Sequence, residues 1–191
     1  MTQFLRPSGD ANIGDWTDKN GGSTNIYQSI DEEGADDNAT TYITVDDGYS
    51  PSSCEVFLTN AEDPVSSSDH IIRYTATSSD DMDMGVMPLT IKLMQGAVEK
   101  ASFDNNSLQV DSWTTNYTGI LNASQANSIT DYTDLRLKFT TTGNESAGDT
   151  LSITQAYFET GDAPAGGGGA GNSAADNFSL VDNFGSHFSL D

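Results

Sequence analysis

Apolar and polar residues alternate with a period of two along most of this chain, and that spacing is the strongest constraint on its fold. In "PLTIKLMQG", Leu89, Ile91 and Leu93 fall on one side and Thr90 and Lys92 on the other. "DLRLKFTT" repeats the pattern, with Leu135, Leu137 and Phe139 set against Arg136 and Lys138. Such alternation puts one side of a strand in a core and the other toward water. "CEVFLT", "HIIRYTATS", "TTYITV", "SLQVDSW", "TNYTGIL" and "TLSITQAYF" are further candidates, rich in Thr, Ile, Val and Tyr and bounded by Gly, Asn, Asp or Ser. Buried parallel strands would read as continuous apolar runs, so the sheets are predicted to be antiparallel. About eight or nine short strands at this spacing predict an all-β chain, an antiparallel β-sandwich of jelly-roll-like type. Leu89, Ile91, Leu93, Leu135, Leu137, Phe139, Leu151 and Ile153 are its predicted core.

One segment breaks the pattern. In "LNASQANSITD", Asn122 is placed to cap a helix and Gln125 follows three residues later, as in a capping box. Ala123, Ala126 and Ile129 then share a face. The expectation is one short helix crossing between strands.

The pattern stops near residue 161. Residues 1–161 read as the sandwich domain, 162–176 as a Gly/Ala-rich linker without large apolar side chains, and 177–191 as an extended C-terminal docking arm. The arm carries Phe178, Leu180, Val181, Phe184, Phe188 and Leu190. Fifteen residues do not bury a core of their own, so these side chains are expected to cover another polypeptide.

Charge narrows the partners. There are 29 acids and 7 bases, a formal net charge of -22. A nucleic-acid surface needs clustered Lys and Arg, so neither nucleic acid nor an anionic membrane is an expected partner. The dense run "DEEGADD" reads as a solvated loop. Arg73, Lys92, Arg136 and Lys138 fall on polar strand faces, where acids on neighbouring strands are expected opposite them as surface pairs rather than as a substrate site. "MTQFLRPSGD" lacks a charged segment followed by an apolar run, so no secretory signal is expected.

The residues that carry chemistry are sparse. A lone Cys54 reads as a small core residue, and His70 as a strand-end or surface histidine. One Cys and two His do not make a zinc site. Carboxylates are abundant, but none stands alone among aromatics as a raised pKa would require, so no catalytic residue and no cofactor are predicted. Two fragments are faint calcium candidates: "DDMDMG" through Asp81 and Asp83, and "DWTDKNGG" through Asp15, Asp18 and Asn20. Trp16, Trp113 and the seven tyrosines fit either a core or a sugar-stacking platform.

The motifs "FLRPSGD", "GDWTDKNGG", "IYQSIDE…DDNATTYI", "LTIKLMQG", "ITDYTDLRLKF" and "LSITQAYFE", in that order, resemble a group of structural proteins of tailed bacteriophages and prophages. The resemblance spans roughly Phe4 to Glu159 and implies a jelly-roll-like sandwich on a virion, without an active site. It implies a capsid decoration (cement) protein on the outer shell, made in the host cytoplasm. Its partners would be the major capsid protein and neighbouring copies of itself in a homo-oligomer, a trimer in preference. A tail or baseplate component and a carbohydrate-binding or adhesin module are the alternatives. An exposed row of two or three aromatics beside a concave sheet would mark the sugar binder.

Overall fold

The computed structural model describes residues 2–33, 40–46, 51–79, 87–142 and 149–163. Its strands are β1 (Gln3–Leu5), β2 (Pro7–Asn12), β3 (Thr17–Asp18), β4 (Ile43–Asp46), β5 (Ser52–Leu58), β6 (Ile71–Ser78), β7 (Leu89–Gln95), β8 (Val98–Asn105), β9 (Thr114–Ile120), β10 (Leu135–Thr141) and β11 (Thr150–Thr160). A 3-10 turn covers Ile26–Ser29 and one short helix, α1, covers Ala123–Asn127.

The strands form two antiparallel sheets. One runs β3-β4-β11-β6-β9, with β1 also paired to β11; the other runs β2-β5-β10-β7-β8. From β4 onward the chain passes back and forth between the sheets, and only the β7–β8 hairpin stays within one. Successive strands therefore face each other across a shared core, the jelly-roll-like sandwich that the period-two pattern predicts. The crossover helix is also found: α1 joins β9 of one sheet to β10 of the other. Asn122 accepts from the backbone N–H of Gln125 at 3.0 Å, and the Gln125 side chain accepts from the N–H of Asn122 at 2.9 Å, which completes the capping box.

All eight predicted core residues are buried. They pack with Trp16, Cys54, Val56, Ile72 and Phe158, and the Trp16 and Phe139 rings lie 6.3 Å apart. Cys54 is a core residue as expected, and burial pushes its thiol pKa up to about 12, away from thiolate chemistry.

The long strand β11 has two different neighbours on one edge. β4 pairs with its first residues, Thr150 to Ile153, and β1 with its last, Phe158 to Thr160. The gap between them is closed by other groups. The Ile30 carbonyl accepts the Ala156 N–H at 3.2 Å, the Thr41 carbonyl accepts the Thr154 hydroxyl at 2.7 Å, and the Glu32 carbonyl accepts from the Gln155 amide at 3.3 Å. These groups cover that stretch of the β11 edge.

Three local expectations need correction. "SLQVDSW" is not a strand: Val110 makes a single bridge to Ser78, and Asp111 takes a left-handed backbone conformation that ends the pairing. β2 and β8, both edge strands, were not among the candidates, because "PSGDAN" lacks β-formers and β8 buries only Ala101. His70 precedes β6 but is not a surface residue; it is buried.

The sandwich spans β1 to β11, and Asp162 and Ala163 follow it without regular structure. The rest of the predicted linker and the arm residues Phe178, Leu180, Val181, Phe184, Phe188 and Leu190 lie outside the described residues.

Candidate functional site

The outer face of the five-stranded sheet is built by register. Apart from Ser52 and Thr141 at the strand ends, the inward residues of β5, β10 and β7 are apolar, so their neighbours in sequence point outward together. One row across the sheet reads Ser53, Thr140, Thr90, Asp104. The next, two residues along each strand, reads Glu55, Lys138, Lys92, Ser102. A third places Phe57, Arg136 and Met94 side by side.

Over the first two rows lies an open groove of about 440 Å³. Its walls include Ser53, Thr90, Ser102 and Thr140, with Lys92, Lys138 and Asp104 among them. The Thr90 hydroxyl donates to Asp104 at 2.7 Å, and Lys92 pairs with Glu99 at 2.8 Å. Arg136 lies along the third row, bound to Glu55 at 3.2 Å and Asp134 at 3.3 Å, its guanidinium 4.6 Å from the centre of the Phe57 ring. Hydroxyls, an ammonium and a carboxylate converge here on one shallow surface, which suits a hydrophilic, multiply hydroxylated ligand better than an apolar one.

The expected surface pairs are present for three cations: Arg73 with Glu159, Lys92 with Glu99 and Arg136 with Glu55. Lys138 meets that expectation on one side only. Its direct cross-strand neighbour on β7 is Lys92, another cation, and its neighbour on β5, Glu55, is bound to Arg136. The acid-rich sequence made an opposite charge the natural assumption; only the strand order shows a like one.

Among the described residues, the aromatic side chains do not form the stacking row that a sugar platform would need. Trp16, Tyr74 and Tyr132 are in the core. Trp113 is half-buried against Tyr42 at 5.6 Å, and Tyr157 meets Phe4 edge-on at 5.9 Å on the other sheet. Among the described residues of the groove face, Phe57 is the aromatic ring, and Arg136 lies over it.

Buried His70 forms a second polar cluster. Its Nδ1–H donates to the Ser68 carbonyl at 2.8 Å, which leaves Nε2 to accept from the Tyr132 hydroxyl at 2.6 Å; the Thr160 hydroxyl lies 3.2 Å from the same nitrogen. Burial lowers the His70 pKa, against the Ser68 carbonyl and the nearby Asp63 and Asp69, which raise it. These bonds tie the start of β6 to the segment before β10 and to the end of β11, a structural task.

The calcium candidates within the described residues, Asp15, Asp18 and Asn20, form no cluster of metal ligands. Asp18 accepts the backbone N–H groups of Asn20 at 2.7 Å and Gly22 at 2.8 Å, so its carboxylate closes its own turn. Asp15 and Asn20 are exposed beside it, and Asp81 and Asp83 lie outside the described residues. Among the described residues, no group of three or more His, Cys, Asp or Glu is placed to hold a metal ion.

No family model and no curated protein matches the chain. Among solved structures it is similar to a CBM4 carbohydrate-binding module, at 18% identity and a TM-score of 0.38, over 73% of this chain and 89% of that one. It is also similar to TmCBM61, a carbohydrate-binding module solved in complex with β-1,4-galactotriose, at 16% identity and a TM-score of 0.36, over 82% and 86% of the two chains. Both scores are below 0.5, and the groove stands on its own residues.

Proposed function

We propose that this chain is a non-catalytic saccharide-binding module and that the groove on the five-stranded sheet is its binding surface. One observation carries the reading: four hydroxyl side chains, Ser53, Thr90, Ser102 and Thr140, stand with Asp104 and Lys138 around one open groove on a rigid sheet. A saccharide presents many hydroxyls that both donate and accept, and such a wall answers them without a conformational change. Binding by this surface relies on hydrogen bonds and charge rather than on ring stacking.

The virion reading rests on the sequence: the ordered motifs from Phe4 to Glu159 and the apolar stretch from Phe178 to Leu190. In that reading the chain decorates a capsid, through the arm, as an oligomer. It is compatible with the groove, since a saccharide-binding module can itself be carried on a particle.

The test is a panel of soluble oligosaccharides titrated against the full chain and against Thr140→Trp, which fills the middle of the groove. The wild type is expected to bind members of the panel, and the variant to lose that binding with an unchanged melting temperature. Binding that survives Thr140→Trp, or a wild type that binds no saccharide, contradicts the proposal.

A further inference from the structure

The chain has 29 acids and 7 bases, yet two of those bases stand directly opposite each other on the floor of the groove. Like charges at facing positions of neighbouring strands, with Cβ atoms about 4.5–5.5 Å apart, destabilise a sheet. In a sequence with four acids for every base, chance would rarely put Lys138 beside Lys92. Lys92 is compensated by Glu99 on β8. Lys138 makes no ion pair among the described residues, and the acid beside it on β5 is held by Arg136. The strand register thus brings two ammonium groups, Lys92 and Lys138, to an open groove with one carboxylate, Asp104, on its wall, on a protein that is otherwise strongly anionic.

We infer that the groove selects acidic saccharides, and that the carboxylate of a uronic acid residue sits between Lys138 and Lys92. This rests on the saccharide reading given above and adds the ligand's charge to it. The carboxylate would accept hydrogen bonds from both ammonium groups. The neighbouring row, two residues or about 7 Å along the strands, offers Thr90, Thr140 and Asp104. Asp104 repels a second acid there and accepts from sugar hydroxyls instead. The site therefore has a direction, with an acidic group at the lysine row and a hydroxylated ring at the threonine row. A net charge of -22 also repels dense polyanions at long range, which favours saccharides with few, spaced acids.

The experiment uses the full chain and a panel of uronic-acid trisaccharides (galacturonate, mannuronate and glucuronate types), each with its methyl ester, and a sulfated neutral trisaccharide. Isothermal titration calorimetry reads the affinities. At least one uronate is expected to bind ten-fold or more tightly than its own ester. Lys138→Met keeps the apolar stem and loses the charge; it should erase that preference. Glu99→Gln, which frees Lys92, should strengthen uronate binding. Esters that bind as well as acids, or a preference that survives Lys138→Met, overturn the inference while the groove reading stands. Preference for the sulfated sugar over every uronate overturns the carboxylate assignment. If no saccharide binds at all, both proposals fall.

Discussion

Thr140 and Thr154 occupy similar places in the two sheets and have opposite surroundings. Thr140 lies on β10, in the middle of the five-stranded sheet, half-exposed on the groove floor. Thr154 lies on β11, fully buried, with its hydroxyl donated to the Thr41 carbonyl at 2.7 Å. Its neighbours are held in the same way: Ser152 bonds Thr44 at 2.9 Å, and Gln155 bonds the Glu32 carbonyl. Polar residues on β11 are spent on closing the edge of their sheet. On β10, Thr140 instead faces the groove, beside Thr90 on β7, whose hydroxyl donates to Asp104 at the groove wall. One chemistry, threonine on a strand, serves the fold in one sheet and is available to a ligand in the other.

Four predictions sharpen that contrast, the largest effect first. Phe139→Ala cuts into the layer both sheets share, against Trp16, and should cost ~3–5 kcal/mol in chemical denaturation. A smaller loss would mean that the sheets are less interdependent than their core implies.

The next is a matched pair. Thr154→Val removes the buried hydroxyl that donates to the Thr41 carbonyl and should destabilise by about 1–3 kcal/mol. Thr140→Val, the same chemical change in the open face, should stay within roughly 0.5 kcal/mol of wild type. Equal effects in the two sheets would erase the distinction drawn here.

The third concerns His70, at the closed end of the β6–β11 pair. Its folded pKa lies below the ordinary 6.5 because burial disfavours the imidazolium. The unfolded chain therefore takes up a proton as pH falls below about 6.5 while the folded chain resists it, and stability from the neutral ring is lost in that range. His70→Gln keeps a donor and an acceptor without the titration. The stability advantage of wild type over this variant should shrink from pH 7.5 to pH 5. A gap that widens on acidification would reverse the assigned direction.

Much of the sandwich is legible in the sequence because half-buried strands alternate. Leu89, Ile91, Leu93, Leu135, Leu137 and Phe139 declare their face without knowledge of any neighbour. The capping box at Asn122 and Gln125 is equally local. What the sequence hides depends on distant pairing. β2 and β8 are edge strands, and one fully buried side chain in β8, Ala101, sets no period. His70 looks exposed beside Asp69, because its partner Tyr132 lies 62 positions away. The groove was illegible for the same reason. Its lysines read as members of surface ion pairs rather than of a substrate site, and its threonines as ordinary solvent-facing residues. Their meaning came from the strand order β5-β10-β7-β8, which lines up Ser53 with Thr140 and Thr90, and Lys138 with Lys92.

The fourth prediction is the smallest in energy and the most direct. Backbone amide chemical shifts of the full chain are recorded while the saccharide panel is added, neutral and acidic. Perturbations are expected to cluster at Ser53, Thr90, Lys92, Ser102, Asp104, Lys138 and Thr140, with the closed residues Ser152, Thr154 and Gln155 unmoved. Shifts confined to the other sheet, or none with any saccharide, would contradict the assignment of the open face as the binding surface.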